Sequence, residues 1–159
     1  MASSESKPRA SGDVLEGRYR LVDRLGQGGF GDVWRAEELL PDGSALREVA
    51  LKLLRVDIAE TQDWTEEARI IASFRHPALV TIYAAGILHV EADTPFVAME
   101  LLVGDTLAEP VSRKEHVAWR RVLGWARETA AALDEIHRAG VVHLDLKPSN
   151  LFLTDEGEL

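Results

Sequence analysis

Residues 143–150 read HLDLKPSN: an aspartate two places after a histidine, a lysine two after that aspartate, and an asparagine three after the lysine. Asp145 can accept a proton from a hydroxyl, Lys147 can steady a group that gathers negative charge, and Asn150 can offer its amide oxygen to a hard cation. Pro148 stiffens the segment. A base, a cation and a metal ligand within eight residues are the parts of a catalytic loop. The plainer alternative is a polar loop after a helix, and His143 on its own reads as a packed core histidine.

Working outward, residues 117–138 form the longest helical pattern, with Trp119, Val122, Leu123, Ala126, Ala130, Leu133 and His137 along one stripe. Gly124 costs about 1 kcal/mol inside it. Gly140 stands where a terminating glycine is expected. Beyond the loop, residues 151–153 (LFL) read as a short strand and 155–157 (DEG) as a turn. Toward the N-terminus, residues 96–102 and 79–88 are apolar strands, and Gly104-Asp105 reads as a turn. Residues 63–74 form a helix, with Asp63 and Glu66 spaced as a capping pair. Residues 47–54 alternate, with Val49, Leu51 and Leu53 on one face and Ala50, Lys52 and Leu54 on the other. Pro41-Asp42-Gly43 is a turn. Residues 31–36 fit a strand or a helix start, and 19–25 a strand.

The chain has 159 residues, of which 46% are hydrophobic and 28% charged, the balance of a soluble globular protein with a real core. Cysteine is absent, which excludes disulfides, thiolate metal sites and a cysteine nucleophile, and fits a cytoplasmic location. No apolar run approaches the roughly 20 residues of a membrane span. The opening MASSESKPRASGD lacks the apolar core of a signal peptide. The formal net charge of −9 comes with no dense Lys/Arg run, so no nucleic-acid partner is expected. A phosphate ligand stays compatible with that acidity, because backbone N–H groups, one or two lysines and a metal ion can hold it.

Three further constellations stand upstream. Gly26, Gly28, Gly29 and Gly31 follow a strand. Glycines let a backbone approach a phosphate closely, although the cluster alone fits a glycine-rich hairpin equally well. Lys52 sits between Leu51 and Leu53, where an enclosed ammonium needs a partner. An edge-strand lysine with its head in water is the alternative. Glu67 lies three, four and seven residues before Ile70, Ile71 and Phe74, hence on the apolar face of its helix, where it wants a cation. Lys52 is the natural candidate; Glu66, with Arg69 three residues later as an ordinary surface partner, is the competitor, and the plainer alternative is that both glutamates are solvated.

The order of these parts is that of a protein kinase: glycine loop ending in Gly31-x-Val33, strand lysine in VALK (49–52), helix glutamate, long helix, and Asp-x-Lys-x-x-Asn. From residue 19 to Leu159 the chain resembles the eukaryotic-like serine/threonine protein kinases, in a bacterial style. The resemblance implies an α+β fold with a complete N-lobe, a five-stranded antiparallel sheet plus one helix, and the first part of the helical C-lobe. Residues 1–18 are then a flexible leader, 19–102 the N-lobe and hinge, and 103–159 the start of the C-lobe.

It also implies roles. Gly26, Gly28 and Gly31 cover the phosphates of ATP, with Phe30 at the loop tip. Lys52 contacts those phosphates and pairs with Glu67. Leu25, Val33 and Ala50 roof the adenine, with Phe152 as the floor. Met99 is the gatekeeper, and Glu100 to Leu102 are the hinge. Asp145 is the catalytic base, Lys147 steadies the transferring phosphoryl group, and Asn150 holds Mg²⁺. Ile71, Ile82 and His143 belong to the regulatory spine. The implied partner is a protein carrying Ser or Thr.

Two departures qualify this. Leu144 stands where the family has an arginine that grips a phosphorylated activation loop, and Leu144 cannot pair with phosphate. The Asp-Phe-Gly motif would follow Leu159. The expectation is therefore the front part of a longer catalytic domain. Alone, it would transfer phosphate slowly or not at all, and the apolar face of its long helix would be open to self-association. A non-catalytic pseudokinase or scaffold is the alternative, and a dinucleotide-dependent oxidoreductase rests on the glycines alone.

Overall fold

The computed structural model describes residues 9–29, 31–55, 76–90, 93–113, 116–143 and 145–155. Glu67, Ile71, Phe30 and Leu144, and the helix expected over residues 63–74, lie outside them. The described chain divides into two compact units, one running up to Leu101 and the other holding residues 76–80 and everything from Leu102 onward.

The first unit is an antiparallel sheet. Its strands are β1 (Val14–Leu15), β2 (Tyr19–Gly28), β3 (Gly31–Leu39), β4 (Ala45–Leu54), β5 (Ile82–His89) and β6 (Asp93–Met99), in the order β1-β2-β3-β4-β6-β5. That is six strands rather than the expected five. The sixth comes from the presumed leader, where Val14 and Leu15 pair with Arg20 and Tyr19. The strand is too short to show a period in the sequence, and of its two side chains only Leu15 is buried, at 6% exposure. Residues 31–36 resolve as strand, and β2 runs on through Gly26 to Gly28.

Alternation sorts the sheet into two faces. Cross-strand partners share a face, so Trp34, Leu51 and Ala98 form one row, and Leu53 and Phe96 another. These residues, with Tyr19, Leu21, Ala36, Val49 and Leu88, make the core. Each large apolar side chain fully buried there contributes about 1.5–3 kcal/mol. An added Cβ at Gly86 would press on the Phe96 ring at 3.2 Å, so the ring would have to give by a few tenths of an ångström. Burial holds the Tyr19 phenol up to about 12, well into its neutral form.

One carboxylate is enclosed at the end of β3. Glu38 is 8% exposed and receives Arg47 Nε at 2.8 Å and Arg18 Nη2 at 3.6 Å. Arg47 stacks on the Tyr83 ring at 3.8 Å, and Arg18 lies over Tyr19. The clamp joins β2, β3, β4 and β5.

In the second unit, β7 (Gly104–Thr106) pairs antiparallel with β8 (Phe152–Thr154). Gly104-Asp105, expected as a turn, is thus strand. Gly104 has φ 140° and its added Cβ would stand 2.1 Å from the Leu153 carbonyl oxygen, so the close pairing selects glycine. A short helix α1 (Ala108–Ser112) and the long helix α2 (Trp119–Arg138) follow. Helix α2 starts two residues later than expected and ends as predicted, with Gly140 at φ 78°.

The buried face of α2 is not the predicted stripe. Ala132 and Ile136 are buried, with Trp125 and Thr129 half-buried on the same row. Trp119, Val122 and Leu123 are 66%, 47% and 53% exposed. The helix carries two apolar rows, and periodicity alone does not say which one a neighbour covers. Among the described residues, no helix is long and apolar enough to cross a membrane.

Candidate active site

In the first unit, the face opposite the core carries the expected nucleotide residues. Gly26 pairs with Val33, Val33 with Lys52, and Lys52 with Val97, giving one row across four strands. The neighbouring row runs Arg35, Ala50, Met99 and Ile82. Val33, Ala50, Lys52 and Met99 are therefore brought together on a single surface, with Lys52 turned away from Leu51 and Leu53. Leu25 sits at the irregularity between Arg24 and Gly26 and is 53% exposed, so it adds nothing to the core.

The glycines of this loop are of two kinds. An added Cβ at Gly26, Gly28 or Gly29 meets nothing within 4 Å. Gly31 is different. Its φ is 136°, and its added Cβ would lie 2.0 Å from the Leu53 carbonyl oxygen. Gly31 is required by the sheet itself, and the other three face open space.

After β6, Glu100 donates its N–H to the Thr81 carbonyl at 2.9 Å. Its carboxylate faces the Thr81 N–H at 3.4 Å. That N–H is thereby taken, so Glu100 offers its carbonyl, rather than its N–H, to a ligand. Sequence reasoning missed an ion trio on the same face of the sheet. Arg35 bonds Asp23 and also reaches Glu48 at 2.9 Å. The Asp23 carboxylate, accepting from the guanidinium, holds the already high Arg35 pKa higher still. Charges at alternate strand positions were the available signal.

In the second unit, the loop after α2 gathers Asp145, Lys147 and Asn150. The backbone turns tightly: Asp145 N–H donates to His143 O at 2.7 Å, and Asn150 N–H to Lys147 O at 2.9 Å. Pro148–Asn150 form one 3₁₀ turn, with Pro at a position where no N–H is needed. Lys147 Nζ lies 2.7 Å from Asp145 Oδ2. Asn150 Nδ2 donates to the Asp145 backbone oxygen at 2.8 Å and to Oδ2 at 3.1 Å. The amide group is thus oriented by its nitrogen, which leaves Oδ1 pointing away from Asp145.

The Lys147 ammonium hydrogen bond, followed by the one from Asn150, holds the Asp145 carboxyl below its ordinary range. Asp145 is ionised at neutral pH and half-exposed. His143, expected in a packed core, is exposed; it follows the helix-ending turn, where water solvates the ring. Phe152 is half-buried in β8, opposite Thr106. Leu102 is half-buried at the start of this unit.

Residues 19–159 match the family described as the protein kinase domain. The chain belongs to that family, which implies ATP and a divalent metal ion. Among its relatives is a probable serine/threonine-protein kinase, SCO3848 of Streptomyces coelicolor, 36% identical over 150 residues, covering 91% of this chain and 22% of the relative. PknA of Mycobacterium tuberculosis is 33% identical over 154 residues, covering 93% and 35%. The crystal structure of the M. tuberculosis PknI kinase domain superposes with TM-score 0.79 at 25% identity, covering 95% of this chain and 60% of that one. The chain thus spans about a third or less of these curated relatives and 60% of the PknI kinase-domain chain.

Proposed function

We propose that this chain carries the nucleotide-binding sheet and catalytic loop of an ATP-dependent serine/threonine protein kinase. The observation that carries the proposal is the Asp145–Lys147–Asn150 cluster: an ionised carboxylate, an ammonium at 2.7 Å from it, and an amide fixed by two bonds from its nitrogen. The names of the relatives and Lys147 two residues after the aspartate both support a Ser/Thr substrate.

In the reaction, a substrate hydroxyl oxygen forms the new bond to the γ-phosphorus, the bond from that phosphorus to the β–γ bridging oxygen breaks, and ADP leaves. Asp145 accepts the hydroxyl hydrogen bond and orients the nucleophile. Its lowered pKa makes it a weak proton acceptor early in the reaction, so orientation is its larger contribution and proton uptake comes late. Lys147 offsets charge on the moving phosphoryl group.

The open space over Gly26 and Gly28 leaves their backbone free to approach the phosphates, and Val33 and Ala50 lie on the adenine side with Leu25 and Met99 at its edges. Lys52 takes the α and β phosphates. The carbonyl of Glu100 addresses the adenine edge, and by family resemblance Leu102 serves as hinge and Phe152 as adenine floor. Asn150 fits a magnesium ion by its oxygen chemistry: Oδ1 is a hard neutral donor already turned outward. When bound, that ion neutralises phosphate charge. The supply of ATP places this part of the polypeptide in the cytoplasm.

The test is phosphate transfer from labelled ATP to a Ser/Thr peptide by the full-length polypeptide, alongside nucleotide binding. Asp145→Asn should lower turnover at least a hundredfold, as loss of a positioned acid–base group does, with nucleotide affinity little changed. Lys52→Met should weaken nucleotide binding. Unaltered turnover in Asp145→Asn would refute the assignment, and binding without any transfer in the unaltered protein would favour a pseudokinase.

A further inference from the structure

Glu16 is the one residue other than glycine, among those described, with positive φ, at 49°. Glycine holds that conformation without a side-chain penalty, as Gly17 does beside it at φ 65°. A glutamate in this place therefore points to work done by its side chain. Its carboxylate crosses the unit: Oε1 accepts a hydrogen bond from the backbone N–H of His89 at 2.5 Å, 73 residues away. His89 stands at the end of β5, opposite Asp93, with its Nδ1 2.8 Å from Asp93 Oδ1.

The residues before Glu16 are attached on both sides. Gly12 N–H donates to Leu21 O at 2.8 Å, and Leu21 N–H to Asp13 O at 2.9 Å, which ties the segment to β2. Arg9 Nη2 donates to Thr94 Oγ1 at 2.8 Å, which ties it to β6. Leu15 enters the core with Tyr19, Leu88 and Phe96. In the strand order, β1 and β5 are opposite edges. Residues 9–16 therefore span from one edge of the curled sheet to the other.

We propose that residues 9–16 are a latched strap: they close the curled sheet edge to edge, Glu16 is the latch, and the segment releases as a unit. Release frees the first half of β2, the strand that continues into Gly26 and Gly28, and opens the core at Leu15. The strap is thus a device by which the N-terminal segment sets the rigidity of the glycine-bearing strand.

Hydrogen exchange on the full chain tests this, comparing the unaltered protein with Glu16→Gly and Glu16→Gln. If Glu16 served only the turn, Glu16→Gly would relieve its backbone and leave exchange unchanged. The latch predicts that Glu16→Gly speeds exchange at His89, Leu21 and Gly12 together, on the order of tenfold, as expected for loss of a hydrogen bond to a charged acceptor. The Leu51 amide in the core should keep its protection. Glu16→Gln, which retains an acceptor oxygen, should stay close to the unaltered protein. Unchanged exchange at His89 in Glu16→Gly, acceleration at His89 alone, or equal acceleration at Leu51 would each overturn the proposal. None of these readouts involves a nucleotide, so the result stands apart from the catalytic assignment.

Discussion

Replacing Gly31 by alanine should be far more costly than replacing Gly28, three residues earlier in the same loop. At Gly31 the φ of 136° is a conformation that L side chains rarely adopt, which costs of order 1–3 kcal/mol. The added Cβ would also stand 2.0 Å from the Leu53 carbonyl oxygen, 2.9 Å from its carbon and 3.0 Å from Leu54 Cα. These are backbone atoms of β4 in register with β3, so they can retreat only by loosening the ladder that holds Lys52. Such overpacking costs about 1–3 kcal/mol. Together Gly31→Ala should cost roughly 2–6 kcal/mol, a large share of an ordinary stability of about 5–15 kcal/mol. At Gly28 the new methyl meets open space and φ is negative, so Gly28→Ala should fall within about 1 kcal/mol of the unaltered chain. Urea unfolding of both variants, followed by tryptophan fluorescence with the buried Trp34 as an internal reporter, gives the difference directly. A Gly31→Ala penalty no greater than that of Gly28→Ala would refute the reasoning.

Three other outcomes are expected. A carbon-detected NMR titration should place the Asp145 carboxyl below its ordinary value of 3.8, and Lys147→Ala should raise it, because the lysine hydrogen bond is the main cause of the depression. Since the folded value is the lower one, whatever stability the loop gains from this ion pair is present above pH 3.8 and lost as pH falls through the folded value; an unmoved midpoint in Lys147→Ala would contradict the geometry. Glu38→Ala removes the enclosed carboxylate shared by two arginines whose own side chains are 45% and 41% exposed, and should cost about 1–2 kcal/mol in urea unfolding, whereas a loss near 0.5 kcal/mol or less, typical of a surface pair, would show the clamp to be idle. In α2, Ile136→Ala should cost about 2–4 kcal/mol and Leu123→Ala under about 1 kcal/mol, and the reverse order would restore the stripe read from periodicity.

The class of protein, the order of its parts and most of its strands were legible in the sequence because each rests on local chemistry. HLDLKPSN places three functional groups within one tight turn, and the face that Lys52 shares with Ala50 follows from alternation in VALK. Order along the chain is one-dimensional information, and the kinase pattern is specific in that dimension. The tertiary structure decided what depends on distant neighbours. It chose Ala132 and Ile136 over the row from Trp119 to His137, because both rows are apolar and only a packing partner distinguishes them. It put His143 at the surface, since burial is a property of surroundings and not of residue type. It turned Gly104 into strand and separated Gly31 from Gly26 and Gly28, because a close approach to the Leu153 or Leu53 carbonyl has no sequence signature. And it fastened the presumed leader to the sheet: Val14 and Leu15 pair with Arg20 and Tyr19, while Glu16 and Arg9 bond His89 and Thr94, 73 and 85 residues along the chain, a distance no local pattern can span.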